Sequence, residues 1–154
     1  MKYYAGIGSR RTPGRVLTLM TRVAIELAKN GWTLRSGGAF GADTAFERGA
    51  GKAKEIFYAK DAEDTKAHQL ASELHPAWER LNPYVRNLMA RSCYQILGKD
   101  LATPVDLVIC WTPDGQVTGG TGQALRLAAK RNIKVHNFGD IKVYEAYIKR
   151  LQEL

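Results

Sequence analysis

Three glycine-bearing segments carry most of the chemistry this chain can offer. The first is Gly6-Ile7-Gly8-Ser9-Arg10-Arg11-Thr12-Pro13, the second Ser36-Gly37-Gly38-Ala39-Phe40-Gly41-Ala42-Asp43, the third Asp114-Gly115-Gln116-Val117-Thr118-Gly119-Gly120-Thr121-Gly122. Each follows an apolar run and precedes a helical pattern. Glycine lets backbone approach a ligand closely, and a helix N-terminus offers free N–H groups and the positive end of a dipole. The chemistry implied is the cradling of phosphate and sugar. Candidate binding residues are Gly6, Gly8, Ser9 and Arg10; Ser36, Gly37, Gly38 and Asp43; and Thr118, Gly119, Gly120 and Thr121. The first loop is neither a dinucleotide GxGxxG, lacking the third glycine, nor a GK[ST] phosphate loop. Asp43, near a helix start, is either a capping acid or a ligand-contacting one. Glu47 lies one turn further on. Trp111, beside the third loop, is a candidate for stacking a base, whereas Trp32 and Trp78 read as packing residues.

These loops need a frame that brings them together. Strands are expected near Tyr3–Gly6, Trp32–Arg35, Glu55–Tyr58, Val105–Trp111 and Lys134–Asn137. Helices are expected from Pro13 behind a Thr12 cap to Asn30-Gly31, over 41–49, 61–75 and Pro83–Leu97, from the third loop through Asn132, and over Ile141–Leu154. Alternation of short apolar runs with longer amphipathic patterns specifies an α/β fold: a single Rossmann-like domain, residues 1–154, with about five parallel strands and helices on both faces. Right-handed crossovers then put all three loops on one edge of the sheet, where such folds bind ligands.

The chain has 154 residues, 45% apolar and 25% charged, which fits one globular unit and excludes collagen, coiled-coil and disulfide-scaffold classes. Net charge is +8, and residues 1–52 carry nine Lys and Arg against three Asp and Glu. Such a basic half points to an anionic partner. Arg15, Arg22 and Lys29 are seven apart, one stripe along a helix. Cys93 and Cys110 form no CxxC pair and sit among apolar residues, as buried thiols in a reducing compartment do. With no signal-like or membrane-spanning run, a cytoplasmic protein without a membrane partner is expected. His68, His75 and His136 lack ligand spacing, so no metal and no cofactor is expected. The Tyr-rich terminal helix makes a homodimer plausible.

Taken in order, these segments carry a family resemblance. SGGAFGADTAFERGA (36–50) is similar to the SGGAxGID…HRGA signature of DNA-processing protein A (DprA, or Smf). AGIGSRRTP resembles that family's first-strand motif, Tyr84-Val85-Arg86-Asn87-Leu88 its Arg-Asn helix start, and Thr118–Gly122 its Ser-Gly-Ser/Thr loop. The chain thus resembles the superfamily joining DprA with the Lonely Guy (LOG) phosphoribohydrolases, in its small YspA/YpsA-like branch. The resemblance implies binding of a nucleotide or nucleotide-derived ligand, with Arg86 and Asn87 added to the site. On the DprA side it implies single-stranded DNA; on the Lonely Guy side it implies cleavage of the N-glycosidic bond of a nucleoside monophosphate. Two departures matter. Glu47 stands where DprA has histidine, and Arg126 stands where the Lonely Guy loop has glutamate. An enzyme of this kind would have to use Asp43, Glu47 or Asp114, so whether the protein is an enzyme stays open at this point.

Overall fold

A computed structural model describes all residues, Met1–Leu154. Five parallel strands form one sheet: β1 (Lys2–Gly6), β2 (Trp32–Ser36), β3 (Lys54–Ile56), β4 (Leu107–Cys110) and β5 (Val135–Asn137). Their order across the sheet is β3-β2-β1-β4-β5. The chain winds outward from β1 to one edge, then returns and winds outward to the other. The reversal falls between β1 and β4, which pair from Tyr4 with Leu107 to Gly6 with Ile109. In doubly wound sheets the crevice opens at that reversal.

Six α-helices cover both faces: α1 (Gly14–Lys29), α2 (Ala42–Ala50), α3 (Thr65–Leu74), α4 (Pro83–Leu97), α5 (Gly119–Lys130) and α6 (Ile141–Gln152). Successive strand residues point to opposite faces, and the core divides accordingly. Ala5, Val108 and Cys110 pack with the apolar faces of α3, α4 and α5. Tyr4, Leu34 and Ile109 pack with α1 and α2, and α6 leans on the same cluster. This is the Rossmann-like α/β architecture expected from the sequence. No helix is long and apolar enough to cross a membrane.

Several boundaries differ from expectation, each for a local reason. Thr12 does not cap α1. Its hydroxyl donates to Ser9 O at 2.6 Å, and Pro13 takes the cap position. The helix expected over 61–75 is a short 3-10 turn (Ala59–Asp61) followed by α3, because Asp64 accepts from Lys66 N–H and starts a new helix. β4 is shorter than Val105–Trp111. Val105 N–H donates to Ile96 O of α4, and Asp106 is held by Tyr3, whose N–H donates to its carboxylate. The stripe Tyr144, Tyr147, Ile148 and Leu151 of α6, which suggested pairing with a second copy, packs onto the chain's own core. Tyr144 and Tyr147 stand edge-on to Phe138. Cys93 and Cys110 are free and buried, and burial pushes both thiols up to about 12, so neither is a reactive thiolate near neutrality.

α1 and α2 touch backbone to backbone. A Cβ on Gly49 would lie 2.2 Å from Thr21 O and 2.8 Å from Ala24 Cβ. Gly49→Ala must therefore part the two helices. The expected loss is about 1–3 kcal/mol, a fall in Tm of roughly 2–12 °C for a chain of this size in thermal unfolding. An unchanged Tm would show that the helices slide apart without cost.

Candidate functional site

A cavity of about 830 Å³ opens beyond the carboxyl ends of β1 and β4. Four segments wall it. The β1–α1 loop supplies Gly8, Ser9, Arg10 and Arg11; the β2–α2 loop supplies Ala39, and the first turn of α2 Asp43. One face of α4 supplies Tyr84, Leu88, Arg91, Ser92 and Gln95. The passage from β4 into α5 supplies Thr112, Pro113, Thr118, Gly119, Gly120 and Thr121.

The β1–α1 loop is a closed turn. Arg11 N–H donates to Ser9 Oγ at 2.9 Å, and Thr12 gives both its N–H and its hydroxyl to Ser9 O. That turn presents Arg10 and Arg11 outward, both exposed and with no carboxylate within 4.0 Å. At the far wall, α5 begins without a side-chain cap. Its first-turn N–H groups are free to meet an anion. A Cβ on Gly120 would meet only Met89 Cε, at 4.0 Å, so nothing in the protein's own packing demands glycine there.

Behind the lining lies a rigid support. The Ser36 hydroxyl, fully buried, donates to Gly6 O at 2.6 Å and ties the ends of β1 and β2 together. Gly37 lets α4 come close: a Cβ there would sit 2.3 Å from an Arg91 Nη and 2.6 Å from Gln95 Nε2. Arg91 uses this approach to donate to Gly37 O at 2.9 Å and Phe57 O at 3.3 Å. Its Nε is buried with no partner.

Asp43 is the one acid in the lining and is only 4% exposed. Burial pushes its carboxyl up to about 6, although the Arg91 charge and the Ala39 N–H, 3.2 Å from Oδ2, both pull it down. The Ser36 hydroxyl gives its single proton to Gly6 O and has none for this carboxylate. With Arg10, Arg11 and Arg91 opposite one carboxyl, the cavity is cationic.

Of the residues singled out from sequence, Gly8, Ser9, Arg10, Asp43, Thr118, Gly119, Gly120 and Thr121 line this cavity. Gly6, Ser36, Gly37 and Gly38 stand behind it and shape its floor. Four lie elsewhere. Glu47 binds Lys54 Nζ at 2.8 Å, outside the cavity. Arg86 donates to Trp78 O and stacks over the Trp78 ring, on a different face of α4, and Asn87 is half-buried beside it without lining the cavity. The Trp111 ring packs against the α1 side of the sheet, while its carbonyl borders Gly8. Strand alternation explains this: Ile109 and Trp111 share a face, and the cavity opens on the other, with Ile7 and α4. Sequence reasoning missed Arg91, Tyr84, Ser92 and Gln95. Their spacing of three to four residues from Tyr84 through Leu88 is the signal that could have found them.

No protein-family model matches this chain, and no curated protein does. Among solved structures, the chain is similar to DNA processing protein A from Helicobacter pylori, studied for its single-stranded DNA binding mode. The TM-score is 0.62 at 25% identity, covering 88% of this chain and 64% of that one. This chain thus spans about two thirds of the length of that protein. The similarity runs to the DprA-like part of the superfamily that the motifs resemble.

Proposed function

We propose that the cavity binds single-stranded DNA, holding one nucleotide unit at the carboxyl ends of β1 and β4. The observation that carries this reading is the composition of the lining: three guanidinium groups and an uncapped helix N-terminus around one buried carboxyl, at the reversal of strand order. The likeness to a single-stranded DNA binder over most of the chain supports it. Arg10, Arg11 and the first turn of α5 hold phosphate; Gly119, Gly120 and Thr121 give it room. Asp43 accepts a hydrogen bond from a base or sugar donor. The finer assignment to the small YspA/YpsA-like branch rests on motif order alone.

The test is fluorescence anisotropy with a single-stranded oligonucleotide, its duplex, and a deoxynucleoside monophosphate across a salt series. Binding of the single strand is expected to weaken steeply with salt. Arg10→Ala is expected to reduce the log–log slope by about 0.7, the value for one phosphate contact to a single strand. A salt-independent response to the monophosphate alone, with no oligonucleotide binding, would overturn the reading.

That outcome would favour a second reading, in which the ligand is a free nucleotide and Asp43 acts on its N-glycosidic bond. The observation behind it is a buried carboxyl near pH 6 in a polar cavity, as general acids require. Glu47 has no part in it, being held by Lys54. Arg126, which replaces the Lonely Guy glutamate, faces away and donates to Leu74 O at 3.0 Å.

A further inference from the structure

A second concavity, of about 450 Å³, runs between α1 and α2. Arg22 of α1 and Arg48 of α2 stand on its two sides, and Phe40 lies at its head. Three observations separate it from an ordinary helix–helix crevice.

First, its charge is uncompensated. Neither Arg22 nor Arg48 has a carboxylate within 4.0 Å, and both are exposed. The three acids on the same helices face elsewhere, Glu26 paired with Lys29, Glu47 with Lys54, and Asp43 turned into the cavity. Second, its hydroxyls are already committed as donors. Thr18 donates to Gly14 O, Thr21 to Ala45 O, and Thr44 to Gly41 O. The guanidinium groups are therefore the side-chain donors left for a ligand, which selects an acceptor-rich anion. Third, Phe40 is 75% exposed, a large aromatic ring with no packing role. An exposed ring flanked by guanidinium groups is the arrangement on which bases stack while phosphates are held.

The groove is also continuous with the cavity. Ala39 lines the cavity and Phe40, the next residue, lines the groove. A Cβ on Gly41, in the groove wall, would lie 3.1 Å from both Arg10 Cα and Ser9 O, in the cavity wall. The same two turns of backbone divide the sites, so a strand leaving the cavity over Arg10 meets Phe40 next.

We propose that the α1–α2 groove is a second nucleotide subsite, in which the flanking nucleotide of a bound single strand stacks its base on Phe40 and places its phosphate between Arg22 and Arg48. This rests on the reading of the cavity as a single-stranded DNA site. It adds that recognition extends along the strand in one direction, around the loop at residues 39–41.

The test measures affinity for two oligothymidylates, of about three and about ten nucleotides, using the whole chain. Phe40→Ala is expected to weaken the longer strand by about 5- to 150-fold and leave the shorter one within about twofold. Phe40→Trp is expected to restore it. Arg22→Ala and Arg48→Ala are each expected to lower the salt slope for the longer strand, by up to about 0.7 for the one phosphate they share, and leave the shorter strand's slope unchanged. Unchanged Tm in all four variants confirms that the fold is intact. Equal weakening of both lengths would overturn the proposal, since the effect would then pass through the cavity. No weakening of either would overturn it as well, leaving the cavity reading in place. If wild type binds neither length, both readings fall together. Binding of polyglutamate that is lost in Arg22→Ala, with no length effect on DNA, would overturn the proposal and reassign the groove to an acidic protein segment.

Discussion

Arg91→Met is expected to unfold this protein about 5–20 °C below wild type and to abolish oligonucleotide binding at temperatures where both are folded. Methionine keeps most of the buried volume and removes every donor. Gly37 O and Phe57 O then lose the guanidinium that satisfies them. Leaving a buried acceptor unpaired costs about 1–3 kcal/mol. Two such losses, discounted for relaxation, amount to about 2–5 kcal/mol, and one kcal/mol moves Tm by about 2–4 °C at this size. A further cost arises above pH 6, where the Asp43 carboxylate would lose the charge that partly offsets its burial. Arg91→Lys is expected to recover part of the stability, because an ammonium keeps the charge and can still donate, but lacks the rigid plane that holds Nη1 between Gly37 O and Phe57 O. Thermal unfolding and circular dichroism at low temperature check the result. A Tm unchanged by Arg91→Met would mean that water replaces the guanidinium at both carbonyls.

Asp43→Asn is expected to act in the opposite sense on stability and in the same sense on binding. A folded-state carboxyl near 6, against about 4 in the unfolded chain, means that the native state binds the extra proton between those values. Stability therefore falls as pH rises from about 4 to about 6 and stays lower above that. The displacement corresponds to about 3 kcal/mol. Asparagine mimics the protonated form and still accepts from Ala39 N–H. The variant should lose this pH dependence and gain roughly 6–12 °C in Tm at pH 7. Binding should weaken by about tenfold or more, the value of one hydrogen bond to a charged acceptor. A site that gains stability when its charge is removed, and loses affinity by the same change, holds that charge for its ligand. A Tm that is flat with pH in wild type would overturn this account of Asp43.

The fold was legible because its signals are local. Apolar runs of strand length, the proline that opens α4 at Pro83, and the left-handed Gly31 after α1 can each be read within a few residues. Strand order is different, because it is set by pairing between distant segments. The convergence of the three loops followed from the handedness of crossovers, and the cavity at the reversal bears this out. What sequence reasoning missed was orientation. Arg86 drew attention as part of a motif, but Arg91 lies five residues on, almost half a turn away around α4. Only the helix's packing on Gly37 decides which arginine faces the cavity. Trp111 misled for a related reason: proximity to the loop in sequence says nothing about which face of the strand the ring takes.

The pairing of β1 with β4 also sets when the site can exist. Tyr3 N–H donates to a carboxylate 103 residues later, at Asp106. During synthesis, at about 5–20 residues per second, one edge of the central strand therefore waits for about 5–20 s after the first strand has emerged. Over that interval β1, α1, β2 and α2 can associate, since their contacts are close in the chain. The Ser36–Gly6 tie and the α1–α2 groove belong to this early half. The cavity does not, because its far wall is α5. A growing chain thus displays the basic α1–α2 groove before the cavity beside it is complete. Slow closure of a long-range parallel pair is the kinetic signature such a topology imposes.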